Sequence, residues 1–405
     1  MNRRIEWRRL LLLLPLVCLM AACSAGKPAA LGAGSVIQGG DGASAGKPEG
    51  GRAATPGIGP GRPDTHNEFE HAGGSTAAAS GSTIAEPLCR PESGKDAEAS
   101  PSVRYVNVNV ATLWASPQAP RALDEPSLRF PADVPAWLGP MTVRDKLGLV
   151  GKTETEALYG ERVVLLEERG DWVRVAVPEQ RTPKLAQGYP GWLPKRQLAE
   201  RSEAAAYAGC PVAVIGKRTA TLYADAELRK PALQLSFGTR LPVVAAAAGL
   251  TLTVVTPDDG RRYLAASDAI VRKPDAAIAP PSGTELVELG RGFLGLPYLW
   301  AGASGFGFDC SGFTYALYRY YGILLPRDAK DQAKAGRAVD RADLQPGDLL
   351  FFAYDKGKGA VHHVAMYAGD GLMLHSPKTE RSVELIPFDT PEYAAEFAGA
   401  RRFLP

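Results

Sequence analysis

One stretch of the chain sets a nucleophile in readable surroundings: Phe308-Asp309-Cys310-Ser311-Gly312-Phe313. A Gly-rich run, 301–307, precedes it, and 314–321 follows without Pro or Gly until Gly322. Phe313, Ala316, Leu317 and Tyr320 recur at helical spacing, which predicts a helix with a buried face. Asp309 is placed to cap that helix. Cys310 then sits in the first turn, beside unpaired N–H groups and the positive end of the helix dipole, which favours a thiolate. A buried structural cysteine is the competing reading. A nucleophilic thiol needs a base, and only five histidines occur. His66 and His71 lie in a low-complexity stretch, whereas His362, His363 and His375 flank a Gly369-Asp370-Gly371 turn between two strand-like runs. If all three turn residues form the loop, residue 365 faces 375 and His363 shares a face with His375. If Asp370-Gly371 alone form it, 366 faces 375 and His362 becomes the partner. Parity leaves both open. A three-histidine zinc site is a further arrangement of the same residues, although no carboxylate-bearing metal motif accompanies it.

The elements that must position these groups follow from pattern. Residues 283–294 read as an amphipathic helix, and Asp348 to Ala353, His363 to Ala368 and Leu372 to His375 as strands. Lys273-Pro-Asp-Ala-Ala-Ile-Ala-Pro-Pro is a linker by its prolines. Upstream, Tyr159 to Val177 reads as a hairpin around Gly170-Asp171. The upstream region also repeats. Ala111-Thr-Leu-Trp is echoed by Ala220-Thr-Leu-Tyr, Tyr159-Gly-Glu-Arg-Val by Phe237-Gly-Thr-Arg-Leu, and Gly170 to Val175 by Gly249 to Val254. Two similar units of short strands predict two small β-barrels in tandem. The first unit carries an insertion, 124–158, read as helical, with Trp137 as core filler.

The ordered set Asp309-Cys310-Ser311-Gly312-Phe313, Pro346-Gly-Asp348-Leu-Leu-Phe-Phe, His363-Val-Ala-Met-Tyr-Ala-Gly and Leu374-His375-Ser376 resembles the NlpC/P60 family of papain-like cell-wall peptidases. Cys310 to His363 is 53 residues and His363 to His375 is 12, spacings typical of that family. The resemblance implies Cys310 as nucleophile, His363 as general base and acid, and His375 as orienting residue. The two upstream units resemble bacterial SH3b domains. The fold class implied is α+β, with a papain-like catalytic domain (283–405) preceded by SH3b units at 101–200 and 201–275. That layout is similar to γ-D-glutamyl-L-diamino-acid endopeptidases, which trim muropeptides. The likeness implies that Tyr298 of Pro297-Tyr298-Leu-Trp300 lines the active site and that Asp309 and Ser311 contact substrate. It aligns Arg327-Asp328-Ala329 with an Arg-Asp-Ser turn, with Asp328 at the substrate. From the first unit it implies a Tyr, here Tyr189, and a Glu reaching the free amine of an N-terminal L-Ala. Glu154 is the first choice for that Glu and Glu156 the second. No metal or cofactor is called for.

Composition narrows the remaining classes. Apolar residues are 45 % and charged residues 22 %, as in ordinary globular protein. Four Arg and an apolar run, Leu10 to Met20, precede Ala21-Ala22-Cys23, which resembles a lipoprotein signal (1–22) with Cys23 as the lipidated residue. Plain secretion is the alternative. Removing 1–22 takes the net charge from +2 to −1, so no basic patch points to nucleic acid. Residues 23–100 hold sixteen glycines and a single aromatic, Phe69, and read as a disordered tether. The expected partners are peptidoglycan-derived peptides and a membrane reached through the lipid anchor, with the protein exported to the outer face of the cytoplasmic membrane or the wall. Outside the cytoplasm Cys89 and Cys210 can pair, or stay as two buried thiols. Three other functions share these features: a wall-cutting endopeptidase on intact stems, a non-catalytic wall-binding adaptor, and an acyltransferase on the same fold.

Overall fold

The computed structural model describes residues 88–90, 102–199, 206–207, 209–247, 250–258, 260–273 and 279–405. The signal, Cys23 and nearly all of the tether lie outside the described residues. The first sheet contains β1 (Val103–Val106), β2 (Val110–Trp114), β3 (Thr153–Leu158), β4 (Arg162–Arg169), β5 (Trp172–Val177), β6 (Tyr189–Pro194) and β7 (Leu198–Ala199), in the order β3-β2-β6-β5-β4-β1-β7. The second contains β8 (Val212–Ile215), β9 (Thr219–Tyr223), β10 (Pro231–Ser236), β11 (Arg240–Ala247), β12 (Thr251–Val255), β13 (Arg261–Ala265) and β14 (Ala269–Arg272), in the order β10-β9-β13-β12-β11-β8-β14. Shifted by seven strands, the two orders are identical. The echoed segments fall on equivalent strands: β2 and β9, β4 and β11, β5 and β12. Gly170, at φ +59°, starts the two-residue β4–β5 turn, the glycine-first form that matches strand twist.

The insertion is helical only in part. Short helices α1 (Glu125–Leu128), α2 (Val134–Leu138) and α3 (Val143–Leu147) occupy its first two-thirds, but Thr153–Leu158 is strand β3 at the sheet edge. The β-branched threonines at 153 and 155 and pairing with β2 override a helical reading there. Trp137 is core: it is 1 % exposed, packs on Trp114, and donates from its indole N–H to Asp124 Oδ1 at 2.9 Å. Cys89 and Cys210 form a disulfide with a Cα–Cα distance of 5.6 Å.

The C-terminal part opens with α4 (Gly283–Arg291), started by a Ser282–Glu285 capping box. Two short strands follow, β15 (Ala303–Ser304) and β16 (Gly307–Phe308), and then α5 (Cys310–Tyr320) and α6 (Ala329–Gln332). The last sheet contains β17 (Arg337–Val339), β18 (Leu349–Ala353), β19 (Val361–Gly369), β20 (Leu372–His375), β21 (Glu384–Pro387) and β22 (Phe397–Arg402), ordered β17-β22-β18-β19-β20-β21. Helix α5 is buried on every side, not on one face as its spacing predicts. Phe313 and Leu317 pack into the core with Met366 and Leu374. The other side lies against the two barrels, where Arg319 Nε meets Glu179 Oε2 at 2.7 Å, Nη2 meets Glu161 Oε1 at 3.3 Å, and Nη1 donates to Gly238 O at 3.1 Å. A charged residue can sit on a buried helix because carboxylates of the first barrel compensate it.

Glu156 belongs to the same contact between parts. It is 2 % exposed, and its Oε2 accepts from Ala303 N–H at 2.8 Å. This overturns Glu156 as the second choice for an amine-binding carboxylate, because it is sealed inside. Burial pushes its carboxyl up to about 7, and the Ala303 N–H opposes that shift without cancelling it. The folded state therefore loses stability as pH rises through the range where Glu156 must ionise, while the unfolded carboxyl ionises at lower pH. Glu156→Gln should stabilise the protein at pH 8 by about 2 kcal/mol more than at pH 5. Thermal melts at the two pH values test this, and an equal shift at both would contradict it.

Candidate active site

Helix α5 and strand β19 carry Cys310 and His363, the residues expected to act as nucleophile and base. Asp309 caps α5 as the sequence predicts, accepting from Gly312 N–H at 2.6 Å. Cys310 is the first residue of the helix. Gly312 has to be glycine, since a Cβ there would lie 2.0 Å from Gly302 O, in the loop that precedes the cysteine. Helix α5 packs on β19. The Val364 N–H, one residue past His363, favours the Cys310 thiolate, as does that of Ser311. The net electrostatics nonetheless reverse the expectation of a lowered thiol pKa. Burial, then the Asp309 charge, pushes the Cys310 thiol up to about 12, against these N–H groups and Arg327. Burial and the neighbouring imidazoles hold His363 well below its ordinary value. Burial thus works against charge on both the thiol and the imidazole.

The histidine question is decided by a bulge. Asp370 and Gly371, at φ +50° and +72°, make a two-residue turn between Gly369 and Leu372. Met366 pairs with Leu374 and Tyr367 with Met373, so Ala368 is one extra residue in β19. The tight turn alone would have presented His362. The bulge restores the other register and turns His363 toward His375. Their Nε2 and Nδ1 atoms are 2.8 Å apart. His362 points elsewhere: it meets Glu396 at 3.1 Å and stacks on Tyr354, so the three histidines do not converge on a zinc site.

The sequence reading missed the end of this chain. Glu384, cross-strand from His375, lies 3.0 Å from His375 Nε2 and is paired with Arg381. Burial works against ionising Glu384, but His375 and Arg381 outweigh it and hold the carboxyl below its usual range. A carboxylate can only accept. His375 therefore carries its proton on Nε2, its Nδ1 accepts from His363 Nε2–H, and the free lone pair of His363 is on Nδ1. Only the strand register could have revealed Glu384.

A second cluster grows from Asp309. Arg327 is 1 % exposed, and all five of its N–H donors are used: on Asp309 Oδ1 and Oδ2, Ser311 Oγ, Gly302 O and Thr155 Oγ1, at 2.8–3.3 Å. Asp309 and Ser311 are thus held in this lattice directly beside Cys310. Tyr298 is buried, with its N–H on Arg381 O at 3.0 Å. Asp328, next to Arg327, accepts from the Tyr189 hydroxyl at 3.0 Å. Glu154 is the bulged residue of β3, the extra position between Thr153 and Thr155 opposite Leu113 and Trp114, and its side chain reaches Lys184. Lys184 Nζ lies 2.8 Å from Glu154 Oε2 and donates to the Tyr189 hydroxyl at 2.6 Å. Glu154, Tyr189 and Asp328 are thereby joined in one polar cluster. Lys184 carried no motif that would have marked it, and Arg327 stood out only as part of the Arg327-Asp328-Ala329 turn, without its link to Asp309.

Comparison with known proteins agrees with this geometry. Residues 295–402 match the model of the NlpC/P60 family, and 215–271 match that of the YKFC SH3b2 domain. A protein of Bacillus cereus named gamma-D-glutamyl-L-lysine dipeptidyl-peptidase is 45 % identical over 316 residues, covering 78 % of this chain and 93 % of its own length. One of the same name from Bacillus subtilis is 41 % identical over 302 residues, covering 72 % and 96 %. The crystal structure of an NlpC/P60 family protein from Bacillus cereus superposes with a TM-score of 0.72 at 46 % identity, over 75 % of this chain and 100 % of that one. With these relatives matched over almost their whole length, the chain belongs to the NlpC/P60 family of cysteine peptidases.

Proposed function

We propose that this chain hydrolyses the amide between the γ-carboxyl of D-Glu and the following L-diamino acid in peptidoglycan stem peptides whose N-terminal L-Ala is free. The observation that carries the reading is the cluster of Glu154, Tyr189 and Asp328, which already accepts one ammonium, that of Lys184, and is linked through Arg327 and Asp309 to Cys310. The names of the two Bacillus relatives support it. A carboxylate and a phenol oxygen suit a protonated amine. An L-Ala still acylated by muramic acid offers no ammonium to that carboxylate, which selects for released peptides. The side chain of the diamino acid, L-Lys or diaminopimelate, stays open in this reading.

The chemistry follows from the proton order. Cys310 Sγ attacks the amide carbon as its proton passes to His363 Nδ1, and the carbonyl electrons move onto oxygen. The Cys310 N–H at the helix start faces that oxygen, and Tyr298 is the second donor. The intermediate collapses, the C–N bond breaks, and His363 gives its proton to the departing amine. Water, deprotonated by His363, then cleaves the thioester and restores the thiol. Asp309 and Ser311 line the peptide's path beside the nucleophile. Export and lipid attachment at Cys23 complete the proposal, and the Cys89–Cys210 disulfide supports an oxidising compartment.

Mass spectrometry of the full chain with L-Ala-γ-D-Glu-L-Lys should show release of L-Ala-D-Glu. The N-acetylated peptide should stay intact, and Cys310→Ala should abolish cleavage. Equal cleavage of both peptides would remove the amine-recognition reading. In a second test, Glu384→Gln introduces a group that can donate as well as accept, so the tautomer of His375 is no longer pinned. kcat should fall about 100-fold, and imidazole nitrogen NMR should show His363 losing its single tautomer. An unchanged tautomer with unchanged kcat would sink the proton order argued above.

A further inference from the structure

The geometry points to Lys184 as a resident occupant of the amine pocket, an internal ammonium that the substrate's amino group must displace before the peptide can seat. This rests on the amine-recognition reading above and adds a specificity determinant to it. Lys184 Nζ makes the contacts expected of a bound α-ammonium: 2.8 Å to Glu154 Oε2, 2.6 Å to the Tyr189 hydroxyl, and 4.2 Å to the centre of the Tyr189 ring. Both acceptors that would recognise the peptide's amine are thus already engaged by one side chain. Asp328 completes the ring of acceptors through Tyr189, and Asp331 feels the charges of Asp328 and Lys184.

The occupant is built to leave. The Lys184 side chain is 36 % exposed and the Glu154 side chain 29 %, so water can take over the ammonium as it swings out. Lys184 lies in the connection between β5 and β6, three residues after Arg181, whose O accepts from Arg327 N–H at 2.9 Å. A swing of the Lys184 side chain alone vacates the acceptors and leaves that backbone bond in place. A half-exposed ion pair is weak, so the competition lowers apparent affinity only moderately. It still acts as a filter: a neutral N-terminus cannot replace the contacts that Lys184 gives up.

Titration calorimetry on the full chain tests this, with Cys310→Ala as background and L-Ala-γ-D-Glu-L-Lys as ligand. Adding Lys184→Met removes the charge and keeps the aliphatic stem. The peptide should then bind about 3–10-fold more tightly, whereas Lys184→Arg should show no such gain. Unchanged binding by Lys184→Met would show that Lys184 does not hold the site. Weaker binding would make it a partner of a substrate carboxylate, and either result overturns the proposal. The amine reading fails separately. If the N-acetylated peptide binds the Cys310→Ala protein as tightly as the free one, the pocket does not recognise an amine, and the competition proposal falls with it.

Discussion

Asp309 and Arg327 form a buried ion pair on which the rest of the site hangs. An unpaired charge at either position would be severely destabilising in this interior. The guanidinium avoids that by matching each N–H to a fixed oxygen, two of them on one carboxylate. The same carboxylate caps the helix that begins at Cys310. The same guanidinium reaches Thr155 in the first barrel and Gly302 in the loop ahead of the nucleophile. One pair thus sets the start of α5, the path of the glycine loop and the approach of the first barrel. A lysine could not replace the arginine, because a single ammonium cannot satisfy five directions.

Burial has a second consequence at the nucleophile. It raises the thiol and lowers the imidazole, so it works against charging either member of the pair. Such a pair still works as a nucleophile if the imidazole offers the correct lone pair at the moment of attack. The Glu384 carboxylate secures this from the far end of a chain of rings, since a group that only accepts forces every proton upstream to point toward it. Tyr393, packed on both imidazoles, and Phe352 on His363 keep the ring planes in place.

Two β-bulges place the side chains that regular strands would have aimed elsewhere. In β19 the extra residue at 368 exchanges His362 for His363 as the partner of His375. In β3 the extra residue is Glu154 itself, which turns outward to Lys184 while Glu156 stays inside against Ala303. A bulge costs one unpaired position in the ladder and shifts every later side chain to the other face.

The sequence by itself determined whatever is local or periodic. The cap at Asp309, the helix after Cys310, the hairpin at Gly170 and the duplicated strand order all rest on short-range stereochemistry or on internal repetition. It also carried the ordered Cys and His motifs, because their residue types and spacing survive without coordinates. Tertiary structure alone decided the rest. Whether Cys310 is charged depends on how much water the assembled parts exclude, and no window of sequence reports that. Glu384 enters the proton chain through cross-strand register, Arg327 reaches Thr155 across 172 residues of chain, and Lys184 reaches Glu154 across 30. Local patterns specify elements, but the solvation and pairing of a charge are properties of everything packed around it.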